Sequence, residues 1–137
     1  MDIIVTGEQR FRVQDTSSEN SYITADIEFI EEPEEPLRAD LRERVITQHM
    51  RLLELAGRAV RPNVYQNDRG PSFFIAHNAG LSPEQKQEVL EMLTENERIS
   101  YLVHHFEALI PRVEQIEEVR RRAQSNGHFK DYPGADD

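Results

Sequence analysis

The sequence predicts an α+β protein in which short antiparallel strands come first and a bundle of amphipathic helices follows. Apolar residues recur with period two over the first 30 positions, whereas from Leu37 onward they recur at intervals of three and four. The change falls on Glu31-Glu32-Pro33-Glu34-Glu35-Pro36, a stretch too acidic and too rich in proline to continue either element. The expected organisation is a β subdomain over residues 1–35, a helical bundle over 36–125 and a flexible tail over 126–137.

Residues 1–14 read as β structure. Ile3-Ile4-Val5 is a short apolar run, Gly7 allows a bend, and Arg10-Phe11-Arg12-Val13-Gln14 alternates with Phe11 and Val13 on one face. A polar loop over 15–20 follows, and alternation returns over 22–30, with Ile23, Ala25, Ile27 and Phe29 opposite Thr24, Asp26 and Glu28. About three strands with one apolar face have two open edges, cannot close a barrel and need something to pack against. The expectation is self-association through residues 3–13 or docking of the sheet on the helices.

The acidic junction reads as a solvated linker, and Glu34 and Glu35 stand where a helix N-terminus favours negative charge by ~0.3–1 kcal/mol each. Leu37, Leu41, Val45, Leu52 and Ala56, broadened by Ile46, Met50 and Leu53, predict a long helix over about 36–56 that Gly57 ends. Turn chemistry at Pro62-Asn63 and Asn67-Asp68-Arg69-Gly70-Pro71 surrounds a short helix over 72–77 carrying Phe73, Phe74 and Ile75. Ser82-Pro83-Glu84-Gln85 opens a helix over 83–93: the serine caps, proline has no N–H to lose, and glutamine completes a capping box. Thr94-Glu95-Asn96-Glu97 repeats the device for a helix over 95–124, whose stripe of Ile99, Leu102, Phe106, Leu109, Val113 and Ile116, widened by Val103 and Ile110, makes it the centre of the bundle. Pro111 should kink that helix near Glu107 or end it, and Glu117 with Arg121 and Glu118 with Arg122 support its exposed end.

Composition narrows the function. A chain of 137 residues is one domain by size, and a net charge of -10 opposes a nucleic-acid backbone or an anionic membrane surface as partner. The chain has no cysteine, which removes thiolate chemistry and fits a reducing compartment. No apolar run approaches the ~18 residues of a membrane span, and the first residues lack a signal pattern, so a cytoplasmic protein is expected.

No reactive centre can be nominated. The phosphate-cradling glycine patterns are absent, so no nucleotide or other cofactor is expected. His104-His105 invites a metal reading, but adjacent helical residues point about 100° apart, no ligand falls four residues after His104, and packed or surface histidines are the commoner case. Carboxylates are plentiful but patterned for a surface, so no acid–base pair emerges. Asp68-Arg69-Gly70-Pro71-Ser72 looks like the nucleophile segment of Lon-type peptidases, in which a lysine activates the serine. Here Arg69 intrudes, Phe73 and Phe74 follow where that family has small residues, and Lys86 and Lys130, the only lysines, stand in no suitable motif.

Set in order, the pieces carry a resemblance. Val5-Thr6-Gly7-Glu8-Gln9-Arg10-Phe11-Arg12-Val13, a strand ending in acidic residues and proline, a long Arg/Leu/Glu helix, Leu81-Ser82-Pro83-Glu84-Gln85-Lys86-Gln87-Glu88-Val89-Leu90, and Asn96-Glu97-Arg98-Ile99 opening the last helix are similar to the Lon N-terminal, or substrate-binding, domain over about residues 1–120. The resemblance implies a PUA-like β-barrel followed by a helical bundle, a role in recognising unfolded or tagged proteins rather than cutting them, and a stand-alone copy without ATPase or peptidase domains. In that family the barrel has strands ahead of the Gly7 motif that this sequence lacks, which leads to the expectation of a remnant barrel: either the chain is a truncated form or the missing strands come from another copy. The contact residues expected for a bound peptide are Phe11, Phe29, Tyr65, Phe73 and Phe74, with Phe73 and Phe74 also open to the ordinary reading of core plugs. Because PUA-like barrels elsewhere bind RNA, an RNA-binding module is the alternative, and a Ser72-dependent peptidase comes third.

Overall fold

The computed structural model describes residues 1–67 and 69–130, with side chains as far as 126. Its order is β1 (Phe11–Ser17), β2 (Thr24–Phe29), α1 (Ala39–Leu55), a 3-10 turn (Pro62–Tyr65), α2 (Ser72–His77), α3 (Pro83–Glu91) and α4 (Glu95–Lys130). The class is α+β as the change of period indicates, with two strands among the described residues where about three were expected.

The correction lies in residues 1–10, which form no strand; Ile3, Ile4 and Val5 stay exposed because no neighbouring strand completes a ladder with them. The strand starts later and runs further than its side chains suggest. Phe11 pairs with Phe29 and Val13 with Ile27, and a bulge between Val13 and Asp15 then re-registers the chain so that Asp15, Thr16 and Ser17 pair with Asp26, Ala25 and Thr24. The ladder thus carries Asp15-Thr16-Ser17, a polar triplet read as loop, into β1. The strands do not pack into the helical core, since every residue of β2 and all of β1 except the half-buried Ser17 are exposed; the ribbon meets the bundle through polar contacts just ahead of β1.

The core lies in the helices and the turns that join them, with no contribution from the ribbon. Val45 of α1, Ile75 of α2, Val89 of α3 and Ile99, Leu102 and Phe106 of α4 are fully or almost fully buried, and burying each large side chain contributes ~1.5–3 kcal/mol. α1 and α4 pack along their lengths, clipped by Arg44–Glu107 at 2.5 Å and Arg51–Glu114 at 3.2 Å. The bounds expected for these helices hold approximately. α1 starts at Ala39 and is stopped by Gly57 at φ +72°. The capping box of α3 is present, with Gln85 N donating to Ser82 Oγ and Ser82 N donating to Gln85 Oε1.

Pro111 does not end α4: of the two outcomes expected there, termination is excluded, because the turns on either side continue through the single missing hydrogen bond. The apolar stripe, by contrast, is not covered to its end. Ile116 is 67% exposed: α1 ends at Leu55, so no partner helix extends far enough to cover the last turns of the stripe, and no residue from 114 to 126 is buried. Residues 126–130, expected as tail, continue the helix, and 131–137 lie outside the described residues.

Candidate functional site

The ribbon standing off the bundle leaves a groove of about 1290 Å³ between the strand β1 with its lead, the acidic linker, and the α2 and α3 surface. Seven consecutive residues, 7–13, form one wall. Phe73 from α2 and Gln87 and Leu90 from α3 line it as well, together with Ile30, Leu37 and glutamates of the linker.

A buried ionic cluster positions those walls. Arg98, in the first turn of α4, has no exposed surface. Its guanidinium donates to Ser72 Oγ at 2.8 Å, the Met92 carbonyl at 3.0 Å, Glu32 Oε1 at 2.8 Å and Glu95 Oε2 at 3.0 Å. Glu95 accepts in turn from Ser72 N at 2.9 Å and from Ser72 Oγ at 2.5 Å, satisfying a free donor at the start of α2. Gly70 makes this possible: its φ of +93° suits glycine, and a Cβ there would run into the Glu95 carboxylate.

Arg10 joins the ribbon to this cluster. It donates to the carbonyls of Leu90 and Met92, both at 2.7 Å, and to Glu32 Oε2 at 3.2 Å. The two carbonyls are acceptors left free at the end of α3, where a cation is also favoured by the helix dipole. Glu32 thereby bridges Arg10 and Arg98, and both guanidinium groups lie over the Phe73 ring, at 5.4 and 4.4 Å from its centroid. Desolvation, followed by the nearby charge of Arg98, lowers the pKa of Arg10 from its ordinary value.

The five residues expected to contact a peptide divide between two places. Phe11 and Phe73 both line the groove. Phe29, 54% exposed, is the cross-strand partner of Phe11 but is not part of the groove lining. Tyr65 is 2% exposed and must be withdrawn as a contact, because its hydroxyl shares a 2.8 Å hydrogen bond with Nδ1 of the buried His49. Phe74 packs edge-on against His49 and Tyr65, with ring centroids 6.0 and 5.8 Å apart, and is the core plug of the pair. Burial lowers the pKa of His49 from 6.5 to about 4, so its imidazole is neutral near pH 7.

The residues that shape the groove, Arg10, Glu32, Glu95 and Arg98, escaped the sequence reading. One signal was available for Arg98: it lies four residues before Leu102, in phase with the apolar stripe of α4, where a charge needs an internal partner.

Ser72 is held as a structural residue. It is fully buried, its hydroxyl donates to Glu95 and accepts from Arg98, and Asp68 of the peptidase-like segment lies outside the described residues. His104 bonds the Ser100 carbonyl at 2.9 Å and His105 the Ala79 carbonyl at 2.7 Å. Among the described residues no group of three or more metal-binding side chains assembles, and no helix is long and apolar enough to cross a membrane.

A search of curated proteins finds none that matches the chain. The family model described as the ATP-dependent protease La (LON) substrate-binding domain matches residues 1–108, a span that takes in the ribbon, the linker, α1 to α3, the first fourteen residues of α4 and every residue lining the groove. The chain therefore belongs to the Lon substrate-binding domain family.

Proposed function

We propose that the protein is a non-catalytic binding module that holds extended apolar segments of unfolded or tagged proteins in the groove between ribbon and bundle. The observation that carries this reading is the groove itself. At about 1290 Å³ it exceeds the ~300–1,000 Å³ of common small-molecule pockets, and it runs beside a strand whose outer edge has no partner among the described residues. An extended segment can add there as a further strand, its backbone bonding to β1 and its apolar side chains meeting Phe11, Val13, Phe73 and Leu90. Membership of a family named for substrate binding supports the same assignment. The lack of cysteine favours work in a reducing compartment such as the cytoplasm.

The test is a fluorescence titration of the full chain with a labelled, permanently unfolded model protein, repeated with Phe11→Ser. Phe11 is 51% exposed, so about half of the ~2–3 kcal/mol available to a phenylalanine remains for a ligand to bury. Its loss should weaken binding about five- to tenfold, while circular dichroism should show the helical core, of which Phe11 is not part, still folded. Absence of binding by the unaltered protein, or equal affinity of Phe11→Ser, removes the reading.

The free edge of β1 and the exposed Ile3, Ile4 and Val5 also support self-association, in which a second copy supplies the neighbouring strand. Sedimentation equilibrium over a concentration series tests this: a species that stays monomeric removes it.

A further inference from the structure

Building on that reading, we infer that the groove selects segments that combine apolar residues with lysine or arginine. Its wall and rim carry six glutamates, at positions 8, 32, 34, 35, 91 and 95, against three arginines, at 10, 12 and 69. The two sets are not equally available. Glu32 and Glu95 are neutralised inside the cluster by Arg10 and Arg98, and the Arg69 guanidinium is committed to the Glu8 carbonyl. Glu8, Glu34, Glu35 and Glu91 are exposed and make no ion pair among the described residues. Arg12 is likewise exposed and in no ion pair among the described residues, and Arg69 keeps its charge because its partner is a neutral carbonyl, so four free glutamates against two arginines leave the accessible field of the groove negative above an apolar floor.

The linker strengthens that field in the direction of the sheet edge. From Asp26 to Leu37 the chain carries six acidic side chains and no basic one. An acidic segment entering beside β1 would meet like charge along the linker rim. A cationic, apolar segment meets complementary charge at the rim and apolar surface at the floor, and discrimination arises as much from repelling the wrong partner as from attracting the right one.

Three labelled peptides of equal length and equal apolar content, flanked by lysines, by glutamines or by glutamates, distinguish the possibilities in anisotropy titrations against the full chain. The lysine-flanked peptide should bind about tenfold more tightly than the glutamine-flanked one at low salt, with the margin shrinking as salt screens the exposed charges. The triple variant Glu34→Gln, Glu35→Gln, Glu91→Gln should abolish most of that margin. A control triple away from the groove, Glu19→Gln, Glu43→Gln, Glu117→Gln, changes the net charge equally and should preserve it. Equal binding of all three peptides overturns the inference while leaving the groove as a peptide site. Equal losses in both triples overturn it as well, because the preference would then follow net charge alone. Failure of every peptide to bind removes the inference together with the reading it rests on, and a stable dimer whose groove opens to peptide only on dissociation makes a second copy the occupant instead.

Discussion

Replacement of Arg98 by alanine should cost the fold more than any other single change around the groove. Truncation leaves the Glu95 carboxylate, whose side chain is 12% exposed, without its counter-charge, and leaves Ser72 Oγ without the guanidinium donor. Glu32, at 36% side-chain exposure, can recover water, and the Met92 carbonyl keeps Arg10, so these two partners add little. Removing one member of a buried ion pair costs ~3–5 kcal/mol, mainly because the remaining charge is stranded. Against a total stability of ~5–15 kcal/mol for a domain, that is a large share. Urea unfolding followed by circular dichroism should therefore show a much lower midpoint for Arg98→Ala with the slope retained. The double variant Arg98→Met, Glu95→Gln removes both charges while keeping much of the volume, and it should recover most of the loss even though each partner is altered. A loss below about 1 kcal/mol for Arg98→Ala, or a double variant no more stable than Arg98→Ala alone, would refute the stranded-charge reasoning.

Further predictions concern the core and the turn before α2. His49 has a folded pKa of about 4 against 6.5, so the unfolded chain takes up the proton first: the stability due to the neutral ring is fully present above pH 6.5 and is lost as the pH falls toward 4. The loss across that window amounts to up to about 3 kcal/mol, measurable by urea melts at successive pH values, and His49→Gln should flatten the profile. Tyr65→Phe removes the one hydrogen bond made by the buried imidazole, whose Nε2 has no partner among the described residues, and should cost about 1–3 kcal/mol in the same melts. Gly70→Ala should lower stability by about 2 kcal/mol or more through its positive φ and displacement of Glu95, and a variant as stable as the parent would show that the Glu95 contact to Ser72 is not needed.

What the sequence reveals follows from which forces act locally. Helix starts are legible because Ser82 and Gln85 satisfy backbone groups within the same turn, and the core face of α4 is legible because its apolar spacing is independent of what covers it. His49 shows the limit. The apolar series on α1 passes from Val45 to Leu52, and the position between them on that face is filled by a histidine whose burial depends on a tyrosine sixteen residues later. The groove is still less local: Arg10 and the Leu90 carbonyl that it holds are 80 positions apart, and Glu32 and Arg98 are 66 apart. A charged residue in phase with an apolar stripe signals that a buried partner exists but not which of the 26 acidic residues it is. The same dependence on distant partners explains the strands. Alternation over the first residues marks a surface suited to pairing, and pairing occurs only where an opposing strand is present, so Phe11 to Ser17 forms a ladder with β2 while Ile3, Ile4 and Val5 do not. The exposed edge that results is the feature from which both proposed occupants, an extended peptide and a second copy, take their physical basis.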